Sequence, residues 1–425
     1  MYKPILQTVV SRIAVSFLML LVVYFSALFY GSVGRGIISL FMLNISLMVI
    51  VNGFMGGGAL IYMVANFNVK KLLFASYLWA SLFSVAGLLL LNVLNFIPDK
   101  LWLYFLPALW MQSILTINQN ILTGLKKIEL ANYSWLIQAC ILLLLLLAGY
   151  YFGNCKTIEY YGLYFCFASF IATIYSVFSV YKNLPEQNRN QKNHSNTYKK
   201  MLSYGSQTQI SNLIQLLNYR IGFYILEKLN GPTYEQKLSY IGILSIGMQI
   251  AESLWIVSRS AASVQYAEIS HAQNNKRKLD ITYKTIRVSC FITIVLLIPL
   301  LFIPDKVYTL LLGKDFDGLQ NIIQLLSPGI LLYTIAVGIS HYFSGTGIFI
   351  YNLTATGLAF IISIAGGIII IPSYFQYGAA AVSSASHVVM AITLLIIFWS
   401  KQKLDWKDLI IRKNDISIFL KKLKK

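Results

Sequence analysis

The sequence predicts an all-α integral membrane protein of about twelve transmembrane helices. Three observations predict it. The chain of 425 residues is 57% hydrophobic and only 12% charged, whereas soluble domains carry about 25% charged residues. Apolar runs of about 20 residues, enough to cross a hydrocarbon core of roughly 30 Å, recur over nearly the whole length. The charges fall between these runs rather than within them.

The runs place spans at 12–30, 37–65, 72–97, 101–123, 133–153, 159–181, 201–227, 238–270, 285–303, 318–344, 350–371 and 377–400. In hydrocarbon every backbone N–H and C=O must pair within its own segment, so each span is read as a helix. A barrel strand would alternate polar and apolar residues, and runs such as ILLLLLL at 141–147 do not. The first run is longer than a signal-peptide core, lacks a small-x-small cleavage site and precedes many spans, so it is read as retained.

Charge sets the direction. The chain holds 34 Lys and Arg against 15 Asp and Glu. Membrane topology accounts for this excess, so no nucleic-acid partner is expected. One set of alternate connections, with both termini, carries 25 of the basic residues and the other set carries 7. That bias predicts both termini in the cytoplasm, in agreement with an even number of spans. A basic, polar linker at 182–200 separates a six-helix bundle at 1–181 from a second at 201–400. In the basic tail at 401–425, Leu409, Ile410, Ile416, Phe419, Leu420 and Leu423 share one helical face. Two readings stand for it: a helix lying on the anionic leaflet, or a solvated tail that enforces topology.

Two words repeat at an offset of six spans. GIISLFM at 36–42 opens span 2 and GILSIGM at 242–248 opens span 8. Thr123-Gly124 with Asn132 follows span 4, and Ser344-Gly345 with Asn352 follows span 10. The pairs predict duplicated halves of the same orientation, related by an axis along the membrane normal, which is a transporter arrangement.

Polar residues inside spans are costly and mark cavities or partners. In chain order, Arg35 precedes span 2 at its outer end, and Gly53 and Gly57 form a GxxxG read as a site of close helix packing. Span 4 carries Gln112, Thr116, Gln119 and Thr123 on one face, either lining a path or bonding to neighbouring helices. Span 7 carries Thr208, Asn212, Gln215 and Tyr219 on one face, with Arg220 beside it. Arg220 is either a seat for an anion or half of a pair with Glu252 or Glu227. Span 8 aligns Ser245, Gln249, Glu252, Arg259 and Ser263. Glu252 and Arg259 lie two turns apart, roughly 10 Å, too far to bond each other, so each needs another partner. His341 and His387 are either structural or proton carriers. The acidic residues of the first half, Asp99, Glu129 and Glu159, all sit at span ends.

Cys140, Cys155, Cys166 and Cys290 share no CxxC spacing, so neither a disulfide framework nor a metal site is expected. No phosphate-binding loop, dinucleotide fingerprint, zinc motif or nucleophile elbow occurs, so the chain reads as a non-enzyme without cofactor. No loop is long enough for an ATP-hydrolysing domain, leaving ion, substrate or electrical gradients to drive transport.

At this point the sequence resembles a family. The segments GRGIISLFMLNISLMVIVNGFMGGGALIYMV (34–64), YGSQTQISNLIQLLNYRIGFYIL (204–226), YIGILSIGMQIAESLWIVSRSAASVQYAEIS (240–270), LLGKDFDGLQNIIQLLSPGI (311–330) and YGAAAVSSASHVV (377–389) look like those of Wzx-type polysaccharide or O-antigen flippases. These belong to the multidrug/oligosaccharidyl-lipid/polysaccharide exporter superfamily. The resemblance covers nearly the whole chain. It implies two six-helix bundles forming a V around a central cavity, alternating access, and a bacterial inner-membrane location. The implied cargo is an undecaprenyl-pyrophosphate-linked oligosaccharide, and association with polysaccharide polymerase machinery is a further expectation.

On that reading Arg220 and Arg259, taken as the buried permanent cations, attract the pyrophosphate. Asn212, Gln215, Gln249 and Gln119 meet the sugars, and Arg35 meets the head group late in export. Glu252 couples the cycle to H+ or Na+, or only balances Arg259. The rival readings are a cation-coupled multidrug exporter of the same superfamily, a membrane-embedded polymerase or ligase, and a non-transporting scaffold.

Overall fold

A computed structural model describes residues 2–64, 67–184, 197–272 and 274–402, with backbone only at 2–10, 12, 207, 257, 263, 267 and 271. Most of the basic linker and nearly all of the basic tail lie outside the described residues. The elements are α1 (Tyr2–Gly56), α2 (Ala59–Met63), α3 (Val69–Val93), α4 (Trp102–Gly124), α5 (Ile128–Tyr151), α6 (Glu159–Lys182), α7 (Thr197–Glu227), α8 (Tyr234–His271), α9 (Asn275–Phe302), α10 (Asp305–Leu312), α11 (Leu319–Gly345) and α12 (Ile350–Gln402). Among the described residues everything else is turn or short 3-10 helix, at Asp99–Leu101 and Lys314–Phe316.

Two helices are each a pair of arms. Gly31 breaks α1 with φ 66° and ψ −173°, a conformation open to glycine because it has no Cβ. Phe375 breaks α12 with φ 47° and ψ −126°, and its ring stacks on Tyr240 at 5.1 Å. Counted by arms, the long helices among the described residues number twelve, as the apolar runs predict. Among the described residues eight stretches are long and apolar enough to cross a membrane, α1 and α12 counting once each. The long helices outside that set are α4 and α7, whose Gln and Asn residues lower their hydropathy.

The sequence expects loops at 31–36 and 372–376; the structure replaces both by single-residue breaks. One consequence corrects the place of Arg35. It lies one helical turn past Gly31, inside the second arm of α1 rather than in a loop, and is 7% exposed.

The chain parts into two compact units, Met1–Leu216 and Leu217–Lys425. The division falls inside α7 rather than at the basic linker, and local packing shows why. A Cβ on Gly205 would lie 1.9 Å from the Phe54 carbonyl oxygen, so the two backbones touch. Buried Gln209 fills the space that side chains on Gly53 and Gly57 would need. The GxxxG is thus a packing notch, occupied by the first half of α7.

In the first unit α4 packs against α1, α2, α3, α5 and α6. Phe41, Phe105 and Phe165 meet edge to face at 6.1 Å in its core. In the second unit α11 packs against α8, α9 and α12. The repeated words occupy equivalent places. Both heptads are helical and almost wholly buried, and Ser39 and Ser245 each donate to a carbonyl one turn back, at 2.7 Å. Gly124 ends α4 where a Cβ would strike Ile61 backbone; Gly345 ends α11 where it would strike Ile269. The fourth helix of each half therefore ends on a glycine pressed to the end of the second.

Candidate functional site

The second unit gathers the ionic and aromatic residues of α7, α8, α11 and α12. Arg220 stands on α7 about two turns before its end, where it faces α8. Its Nη2 donates to Glu252 Oε1 at 2.5 Å, in the one ion pair among the described residues. The side chains are 17% and 29% exposed. Nη1 lies 3.7 Å from the Met248 sulfur, and the guanidinium lies 5.2 Å from the centre of the Phe223 ring. Of the alternatives left open by the sequence, the pair with Glu252 is the one formed.

Arg259 lies two turns further along α8 than Glu252 and makes no carboxylate pair among the described residues. The residue is exposed, but its guanidinium lies back over the rings, 5.7 Å from the centre of Trp255 and 5.9 Å from that of Tyr333, whose side chain it also hydrogen-bonds. These rings belong to a largely buried aromatic cluster. Trp255 and Tyr333 are 4.5 Å apart, Tyr219 bonds Tyr333 through their hydroxyls, and His387 stacks on Tyr219 at 5.0 Å. Trp255 donates Nε1–H to the Ile330 carbonyl at 3.2 Å, tying the cluster to α11. His387 donates Nδ1–H to the Ser383 carbonyl at 2.7 Å, and His341 does the same to Val337 at 2.8 Å. Both rings are thereby held against their own helices. The arrangement holds one cation neutralised by a carboxylate and presents another from an aromatic platform, where ring faces favour it.

The remaining expected residues are distributed as follows. Gln249, on the turn before Glu252, is half-buried. Asn212 is exposed and bonds Gln209 at 3.2 Å, and Gln215 is half-buried; both belong to the first unit. Gln119 is buried and donates to Ser134 at 2.9 Å. The same holds along that face: Gln112 bonds Ser169, and Asn118 bonds Ser176 and Tyr77. Span 4 is therefore joined to its neighbours, the second of its two readings. Arg35 donates to Ser26 at 3.3 Å. The expectation that Arg220 and Arg259 are the buried cations is overturned. Among the described residues Arg35 at 7% and Arg287 at 5% are the buried arginines.

Sequence reasoning missed Trp255 and Tyr333. Trp255 stands four residues before Arg259, a spacing that places both on one face and gave a usable signal. Nothing in the sequence marks Tyr333, which reaches the site from α11. In the first unit Glu129 and Glu159 occupy the first turns of α5 and α6, where helix dipoles favour anions.

No protein-family model matches the sequence, and no curated protein matches it. Solved structures with the same fold are found. The chain is similar to a lipid II flippase MurJ in an inward closed conformation, with a TM-score of 0.76 and 15% identity over 95% of this chain and 88% of that one. It is similar to a multidrug resistance MATE family transporter of the MOP superfamily, inward-facing, with a TM-score of 0.67 and 13% identity over 92% and 94%. It is also similar to a MOP superfamily transporter from Pyrococcus furiosus, with a TM-score of 0.69 and 12% identity over 94% and 95%. The fold is that of these multi-pass membrane transporters.

Proposed function

We propose that the protein is a flippase that carries undecaprenyl-pyrophosphate-linked oligosaccharide from the cytoplasmic to the outer leaflet of a bacterial inner membrane. It works by alternating access and supplies polysaccharide biosynthesis of the Wzx kind. The observation that carries the proposal is Arg259, an exposed residue with no carboxylate partner among the described residues, its guanidinium held on Trp255 and Tyr333 in an apolar helical unit. A diphosphate is the natural complement of such a group, because guanidinium donates two parallel hydrogen bonds to its oxygens.

Arg259 takes the diphosphate first. Arg220 joins it when Glu252 releases it. Gln249 offers its amide to sugar hydroxyls in the second unit, and Asn212 and Gln215 do so in the first. The prenyl tail stays in lipid. Arg35 and Gln119, already bonded inside the first unit, hold helices in place. Glu252 is the point at which H+ or Na+ couples to the cycle, since a proton or cation on its carboxylate competes with Arg220.

Depletion in the native cell tests the proposal. Complete lipid-linked repeat units should accumulate facing the cytoplasm, with loss of surface polysaccharide. Single repeats accumulating on the outer face would point to a polymerase or ligase. Arg259→Ala should lower transport by about tenfold to a hundredfold at normal protein level, matching the loss of a charged hydrogen bond. Full activity would remove the diphosphate assignment.

A second reading, a cation-coupled multidrug exporter, is favoured by Glu252, a half-buried carboxylate in the second unit. Unchanged polysaccharide on depletion, with lost drug resistance, would select it.

A further inference from the structure

The first unit carries a groove that the transport proposal does not use. It lies between α3 and α6, with a volume of about 440 Å³. Its floor is a stripe of α3 containing Lys70, Phe74, Tyr77, Leu78 and Ser81, and Tyr181 of α6 forms a wall. The spacing of four, three, one and three residues puts the stripe on a single helix face.

The polar atoms along the groove are already engaged. The Tyr77 hydroxyl donates to Asn118 Oδ1 at 2.5 Å. Ser81 Oγ donates to the Tyr77 carbonyl and accepts from Trp110 Nε1, both at 2.9 Å. What remains for a ligand is mostly hydrocarbon, with Phe74 67% and Leu78 50% exposed. Lys70, exposed at the mouth, forms no ion pair among the described residues. From Lys70 to Ser81 the helix rises about 16 Å at 1.5 Å per residue. That is close to half of the roughly 30 Å hydrocarbon core, the depth of one leaflet. Lys70 belongs to the basic set that faces the cytoplasm by charge bias, and anionic lipids are concentrated in that leaflet.

We propose that this groove binds an anionic glycerophospholipid of the cytoplasmic leaflet. The head-group phosphate rests on Lys70, and one acyl chain runs past Phe74 and Leu78 to the level of Ser81. The match of charge at the mouth and of length along the floor selects this occupant. A polyprenyl chain is several times longer than the groove. Only the choice of leaflet depends on the orientation; the selectivity for an anionic head group does not.

The test uses the full chain reconstituted with a photoactivatable phosphatidylglycerol carrying a diazirine midway along one acyl chain. Labelled residues are mapped by mass spectrometry. Labelling is expected within 74–81 and is competed by phosphatidylglycerol but not by phosphatidylcholine. Lys70→Gln should reduce it by about fivefold, the worth of one basic residue at an anionic leaflet. Leu78→Trp, which fills the groove from an exposed position, should block labelling without lowering the thermal unfolding midpoint. Equal labelling by a phosphatidylcholine probe, or labelling untouched by Lys70→Gln, would overturn the proposal. Displacement by polyprenyl phosphate but not by phosphatidylglycerol would overturn it too, and would give the groove to a prenyl tail.

Discussion

At the scale of residues, the Arg220–Glu252 pair and Arg259 make different demands. Glu252→Gln leaves Arg220 half-buried without its counter-charge. Breaking a fully buried pair costs about 3–5 kcal/mol. Both side chains here keep partial exposure, so the expected loss of stability is about 1–2 kcal/mol, screened by the water that still reaches them. The double variant Arg220→Met with Glu252→Gln removes both charges and should recover part of that loss. Thermal unfolding of the native chain and both variants in one detergent checks the order. An order in which the double variant is the least stable would show that the pair matters by more than mutual neutralisation. The pairing itself was only half legible. That Glu252 and Arg259 need separate partners follows from helix rise alone, but which partner Arg220 takes depends on how α7 packs on α8, which no local spacing records. Burial of Arg35 and Arg287 was hidden for the same reason.

Among the elements, the corner between α9 and α11 is tied by Asp305 together with the Gln320 side chain, which bonds the Asp305 N–H and the Leu301 carbonyl. Asp305, at the start of α10, accepts from the backbone N–H of Gly318 at 2.6 Å and of Gln320 at 3.0 Å, capping α11. Partial burial works against its ionised form, but the backbone hydrogen bonds from Gln320 and Gly318 outweigh it and hold the carboxyl below the usual carboxylate range. A group depressed in the folded state contributes stability above its unfolded value, about 4, and loses it as the pH falls through the folded one. The thermal midpoint of the native chain should therefore exceed that of Asp305→Asn near neutral pH, and the gap should close on acidification below about 4. A gap independent of pH would mean that the oxygen positions, not the charge, make the cap.

The elements were the most legible level. Long apolar runs leave a backbone in lipid no alternative to helix, so twelve arms were readable from hydropathy. The breaks were not. Gly31 looks like any glycine in a small-residue segment, and Phe375 is a residue that statistics would never place at positive φ. Each depends on tertiary contacts, in the second case the stack on Tyr240.

At the scale of the whole molecule, the orientation rests on basic residues and is open to direct measurement. With the native cysteines replaced, Lys70→Cys should react with a membrane-impermeant maleimide only from the cytoplasmic side, and Lys156→Cys only from outside. The reverse pattern would invert every statement about leaflets. The division of the chain within α7 has another consequence. If the polypeptide were cut between 185 and 196, the second fragment would keep all of α7, including Gly205 and Gln209, which fit the notch at Gly53, Phe54 and Gly57. The protein is in that sense built for complementation: two separately synthesised fragments carry a ready-made seam by which to find one another, and Gly205→Val, which would drive a side chain into the backbone of Phe54, should keep them apart.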